Sequence, residues 1–188
     1  MKRIFIIAIT MVLMLSLAAC GTGQNTANND AGDSGNGNAA PEVQTFSSTT
    51  SSLTIEAPSS WTEQNTNPDV TIEIGSQTAE QLFAVMEVPA SDFPEGFTVD
   101  DVAQLTLDNF KTGIEMNDDP SLSTTTVGNG QDARQFEFTG TVEGEEITYL
   151  ITITKVNDIY YTMIGTTIPS QFDVAKPVFQ KIIASATF

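Results

Sequence analysis

Few residues in this 188-residue chain could do chemistry. It has one cysteine, Cys20, and no histidine. Without imidazole there is no Ser-His-Asp or Cys-His arrangement, no histidine-ligated zinc and no histidine general base. No serine stands three residues before a lysine, so the S-x-x-K pattern of Ser-Lys hydrolases is absent, and "GDSGNG" is not G-x-S-x-G. No glycine-rich loop joins a strand to a helix, which removes phosphate cradles and their nucleotide cofactors. Carboxylate pairs remain, as glycoside hydrolases use them: Asp100/Asp101, Asp118/Asp119 and Glu145/Glu146. Each has a structural explanation, as a helix N-terminal turn, a turn before Pro120 and the "EGEE" tip of a hairpin. Among 21 acidic residues from Phe46 to Phe188, adjacent acids arise without function. The expectation is therefore no catalytic residue, no metal site and no cofactor.

Cys20 is left as an attachment point. Lys2 and Arg3 precede an apolar run, Ile4 to Leu17, broken only by Thr10 and Ser16. That run is shorter than the ~20 apolar residues of a transmembrane helix and reads as a signal-peptide core. "LAAC" at 17–20 resembles the lipobox of bacterial lipoproteins and meets each of its positions. The resemblance implies a signal peptide over residues 1–19, a diacylglyceryl group on the Cys20 thiol, and Cys20 as the mature N-terminus. The protein is then expected outside the cytoplasm, its membrane partner being the cell membrane reached through that lipid. Two acyl chains pass the threshold for stable anchoring that one chain does not reach. The alternative is a plain secreted protein with a chance cysteine near its cleavage site.

Removing residues 1–19 leaves five Lys/Arg against 24 Asp/Glu, a formal charge of −19. Such a chain lacks the basic footprint that nucleic acid requires, so no nucleic-acid partner is expected. Anionic lipid surfaces and wall polymers repel it for the same reason. Residues 21–45 hold one valine and no other large apolar side chain, so this stretch cannot bury enough surface to offset its ordering entropy. With Cys20 it reads as a flexible Gly/Asn-rich tether over 20–45. Its Asp and Asn do not fit the calcium-loop pattern. Residues 46–188 then form one domain, stabilised by packing and not by disulfides.

Strands dominate that domain. "SLTIEAP" alternates, with Leu53, Ile55 and Ala57 on one side. "DVTIEIG" sets Val70, Ile72 and Ile74 against Thr71 and Glu73. "EQLFAVMEVP" is apolar on both faces, as a central covered strand would be. "LSTTTV" and "ARQFEFTG" flank a "GNG" hairpin turn, and "EEITYLITITKV" turns through "ND" into "IYYTMIGTTI", so this half is an antiparallel meander. A helix is expected from Thr98 as N-cap, with Val99, Ala103, Leu107, Phe110 and Ile114 as its buried stripe. A second begins near Asp173, keeping Pro177 in or beside its first turn, with Val178, Ile182 and Ile183 toward the sheet.

"LTIEAPSSWTE" and "FDVAKPVFQKIIASATF" resemble the opening and closing signatures of the PsbP-like family. Ser60 stands where glycine often precedes the tryptophan, and "SATF" replaces the usual Ser-Phe ending. The resemblance implies an α/β fold of α+β type, a central antiparallel sheet flanked by helices in an α/β/α sandwich. Photosynthetic members are extrinsic subunits of the oxygen-evolving complex, and bacterial lipoprotein relatives are regarded as envelope or binding modules. Candidate contact residues for a ligand or partner are Trp61, Tyr160 and Tyr161. Trp61 otherwise plugs the edge of a core. The two tyrosines alternate on one strand, so one is expected inside and one outside. Arg134 is expected in a surface ion pair. The function expected is a non-catalytic binding or assembly module of the bacterial envelope, with an envelope protein as partner. A carboxylate-dependent hydrolase of envelope glycans is the alternative, and a cation-binding module comes third.

Overall fold

The computed structural model describes residues 42–188. Ten strands and two helices follow one another: β1 (Val43–Ser47), β2 (Thr54–Pro58), β3 (Thr62–Glu63), β4 (Ile72–Ser76), β5 (Gln81–Pro89), α1 (Val99–Gly113), β6 (Glu115–Met116), β7 (Ser123–Val127), β8 (Gln131–Val142), β9 (Glu145–Val156), β10 (Ile159–Thr167) and α2 (Phe172–Ala184). Eight strands form one sheet in the order β3-β4-β5-β10-β9-β8-β6, with β7 also paired to β8. Every pairing is antiparallel, and β1 with β2 makes a separate two-stranded ribbon.

The central strands are apolar on both faces because each face carries its own core. Along β9, Tyr149, Ile151 and Ile153 point one way and Leu150, Thr152 and Thr154 the other, and all are buried. On the first face, Phe110 of α1 meets Phe138 and Tyr149 with ring centroids 5.3 and 5.7 Å apart. On the second, α2 and the ribbon lay Leu53, Ile55, Phe179, Ile182 and Ile183 over Phe83, Val85, Leu150, Tyr161 and Met163. The architecture is the expected sandwich of helices on an antiparallel sheet.

Local chemistry fixes the helices. Thr98 caps α1, its hydroxyl accepting from the Asp101 N–H at 3.3 Å while the Asp101 carboxylate accepts from the Thr98 N–H at 2.8 Å. The buried stripe is Val102, Ala103, Leu107 and Phe110, with Val99 and Ile114 half-buried at its ends. α2 starts at Phe172, so Pro177 falls in the second turn and leaves the Asp173 carbonyl without its helical partner. Gly165 lets α2 approach: a Cβ there would lie 2.6 Å from the Phe179 ring.

One expectation changes, and two placements are added to it. Residues 43–45, placed in the tether, are strand, because Phe46 is buried and the backbone of Val43–Ser47 pairs with Thr54–Pro58. "SLTIEAP" belongs to the ribbon and not to the main sheet. Glu73, set by alternation on the face opposite Ile72 and Ile74, is buried at 5% exposure. The loop after β3 folds over it, and its carboxylate accepts from the Thr66 N–H, the Thr66 hydroxyl and the Asn67 N–H at 2.5, 2.6 and 3.2 Å. A charge buried with three donors is tolerable where a bare one is not. Cys20 and the remaining tether lie outside the described residues.

Candidate functional site

The two tyrosines named from the sequence come together at the sheet end where β5 finishes and β10 begins. Tyr160 pairs with Val88 and Lys155, and Tyr161 with Glu87 and Thr154. Both are buried, at 1% and 2% exposure, which corrects the one-in, one-out expectation. Strand alternation separates two faces but does not say whether the second face is covered, and here both are.

On the α1 face, the Tyr160 hydroxyl donates to the Phe97 carbonyl at 2.6 Å. Phe93 meets the Tyr160 ring edge-on at 5.0 Å and stacks on Phe97 at 5.9 Å. The loop carrying these phenylalanines is pinned by the Ala90 N–H, which donates to the Asp158 carbonyl at 2.8 Å. Lys155 reaches over the Tyr160 ring, 5.2 Å from its centre, and pairs with Asp158 at 3.6 Å. The half-buried rings of Phe93 and Phe97, with Lys155 and Asp158, make an apolar and charged rim. Sequence reasoning missed these two phenylalanines. The signal was "FPEGF", in which Pro94 and Gly96, at φ +88°, build a turn between two aromatic residues.

On the α2 face, the Glu87 carboxylate accepts from the hydroxyls of Thr50, Ser51 and Thr71 at 2.8, 3.0 and 3.1 Å. It thereby clamps the ribbon turn onto the sheet. Phe188 lies edge-on against Tyr161 at 4.8 Å. Burial pushes the Tyr161 phenol above its ordinary range; the Ser51 hydroxyl opposes this and the Glu87 charge adds to it. Trp61 is not part of this end. It is buried against Phe179, edge-on at 6.3 Å, and fills the α2-side core.

Five of the six acids flagged in sequence are committed elsewhere. Arg134 grips Asp100 through two nitrogens at 2.5 and 2.9 Å, and this hydrogen bonding holds the Asp100 carboxyl below its usual range. Asp101 is lowered by the Thr98 hydroxyl and N–H in the capping box. Asp119 pairs with Lys111 at 2.7 Å, Asp118 accepts from the Thr139 N–H at 3.3 Å, and Glu146 accepts from the Asn117 amide at 2.7 Å. With Lys176 on Glu137 at 2.6 Å, four of the five basic side chains in residues 42–188 are in ion pairs. The same residues hold 22 acids, so the surface is left strongly negative. Among the described residues no group of three or more His, Cys, Asp or Glu is placed to hold a metal ion, and no helix is long and apolar enough to cross a membrane.

Tyr149 supplies a pH test. Burial pushes its phenol up to about 12 from 10.0. The folded state therefore holds this proton where the unfolded chain has lost it. Its contribution is intact below pH 10 and is lost as pH rises from 10 toward 12, on the order of 2–3 kcal/mol. Tyr149→Phe should flatten urea stability against pH over that window. An unchanged slope would remove Tyr149 as the cause.

No protein-family model matches the chain, and no curated protein matches it by sequence. Solved structures do match. Cyanobacterial PsbP (CyanoP) from Synechocystis sp. PCC 6803 is 16% identical, with a TM-score of 0.57, covering 84% of this chain and 97% of its own. LpqN of Mycobacterium tuberculosis, described as involved in cell envelope biogenesis, is 11% identical with a TM-score of 0.58, covering 77% and 90%. A Bacteroides thetaiotaomicron VPI-5482 protein is 15% identical with a TM-score of 0.53, covering 72% of this chain and 44% of its own. At these identities the likeness is one of fold, and the fold is PsbP-like.

Proposed function

We propose that this protein is a lipid-anchored, extracytoplasmic binding or assembly module of the bacterial cell envelope, without catalytic activity of its own. The observation that carries the reading is the PsbP-like fold shared with LpqN, a protein described as involved in cell envelope biogenesis. Two further features support it. "LAAC" at 17–20 has the form of a lipidation site at Cys20. Each acid pair that a glycan hydrolase would use has at least one member engaged in an ion pair, a helix cap or a turn hydrogen bond.

Two experiments test it. In fractionated cells, Cys20→Ala should move the protein from the membrane fraction to the soluble one, and mass spectrometry of the wild type should find diacylglyceryl on Cys20. Membrane association that survives the substitution refutes the anchor. Crosslinking in intact cells should retrieve an envelope protein with the wild type. An activity on envelope glycans that vanishes on replacing Glu145 and Glu146 refutes the non-catalytic reading.

A further inference from the structure

The two margins of the main sheet are built differently. At one, β3 pairs with only two residues of β4, and the chain after it adds one more bond along β4, from the Gln64 N–H to the Glu73 carbonyl. That margin ends in a strand of two residues, too short to template another. The other margin is shared by the two-residue β6 and by β7, and β7 among the described residues pairs with β8 alone. Natural edges are blunted by lysine, proline, bulges or shortness. β7 has none of these over Ser123–Val127, a run of one serine, three threonines and a valine. Ser123, Thr124 and Thr126 are exposed, and threonine favours extended backbone. In an antiparallel ladder every second residue turns its N–H and C=O away from its partner, so β7 offers an unfilled main-chain ladder to solvent.

Charge selects what it can receive. Residues 115–127 contain Glu115, Asp118 and Asp119 and no Lys or Arg; Asp119 is paired with Lys111, which leaves Glu115 and Asp118, and Asp132 lies opposite Thr126. The nearest guanidinium, on Arg134 opposite Thr124, is neutralised by Asp100. An uncharged ladder is thus flanked by acids at both ends. A second copy is disfavoured, since residues 42–188 carry five basic against 22 acidic side chains and would repel themselves.

We propose that the outer edge of β7 takes up an extended, lysine- or arginine-bearing polypeptide segment as an added strand. Main-chain hydrogen bonds to alternate β7 residues hold it, and Asp118 and Asp132, which are in no ion pair among the described residues, receive its cations. This deepens the binding-module reading and rests on it only for the cellular setting. The purified protein tests the edge, whereas fractionation and crosslinking test the setting, so the two can fail separately.

The full-length protein in neutral detergent is titrated with a heptapeptide of alternating lysine and valine. Two control peptides are used, one with its central valine replaced by proline and one with glutamate for lysine. The lysine-valine peptide should bind at least about tenfold more tightly than either control, since each control loses ladder bonds or charge pairing. Its affinity should fall with added salt, and Asp132→Asn should weaken it. Bound peptide should slow amide exchange within Ser123–Val127, and Thr126→Lys should abolish that protection. Equal binding of the proline control, protection mapping to another strand, or self-association through β7 that the peptide does not displace would each overturn the proposal.

Discussion

Phe179→Ala is expected to destabilise the domain by about 3–5 kcal/mol. The side chain is completely buried and is the hub of the α2-side core, edge-on to Trp61 at 6.3 Å and tilted over Phe83 at 6.1 Å. Truncation removes its transfer free energy and leaves a void that a sheet backbone cannot close. The site makes a second, sharper demand. Gly165 lies directly beneath the ring, where a Cβ would come 2.6 Å from it. Gly165→Ala alone should therefore cost about 1–3 kcal/mol by overpacking. In the Phe179→Ala background the added methyl enters vacated space, and its cost should shrink toward zero or reverse. Urea unfolding of the four proteins measures the cycle. Strict additivity would mean that the ring and the glycine do not meet.

Phe110→Ala is the matching test on the other face, again at about 3–5 kcal/mol. Phe110 closes a cluster in which Phe138 and Tyr149 stack at 4.7 Å; it meets both rings and also Phe136, at 6.3 Å, which itself stacks on Phe138. Edge-to-face aromatic pairs contribute roughly 0.5–1.5 kcal/mol beyond their buried area. Because the sheet separates the two cores, Phe110→Ala and Phe179→Ala should add to within ~0.5 kcal/mol. Coupling well above that would mean that the sheet transmits strain between faces, and the description of two independent cores would fail.

Much of this arrangement could be read from residue spacing. The alternation of Leu53, Ile55 and Ala57, the "GNG" and "ND" turns and the Thr98 cap each depend on neighbours a few residues away, and each appears where local chemistry places it. What was lost depends on distant partners. β3 and β6 are two residues long and exist only because β4 and β8 run beside them. Glu73 alternates as a solvent residue would, and only the return of Thr66 and Asn67 puts it inside. Val102 entered the helix stripe because α1 is rolled slightly from the face its pattern suggested. At the candidate site, Tyr160 and Tyr161 were found by residue type, and their burial was not. The open edge of β7 is likewise silent in "STTTV", since a strand's place in the sheet order is a property of the whole chain.

The ribbon has a mechanical consequence. β1 is paired with one neighbouring strand, with Phe46 as its single buried side chain, and beyond β2 its Gln44 amide donates to the Ser59 and Trp61 carbonyls. β2 is held differently: Thr54 exchanges two hydrogen bonds with Thr187, and the Glu56 N–H donates to the Ser185 hydroxyl. A pull arriving at Val43 loads the β1 pairs one after another, as in opening a zip. The stitch to the far end of the chain is loaded only after β1 has gone. β1 is thus a mechanical fuse: under tension it yields first, giving up Phe46 from the α2-side core before the sheet itself is loaded.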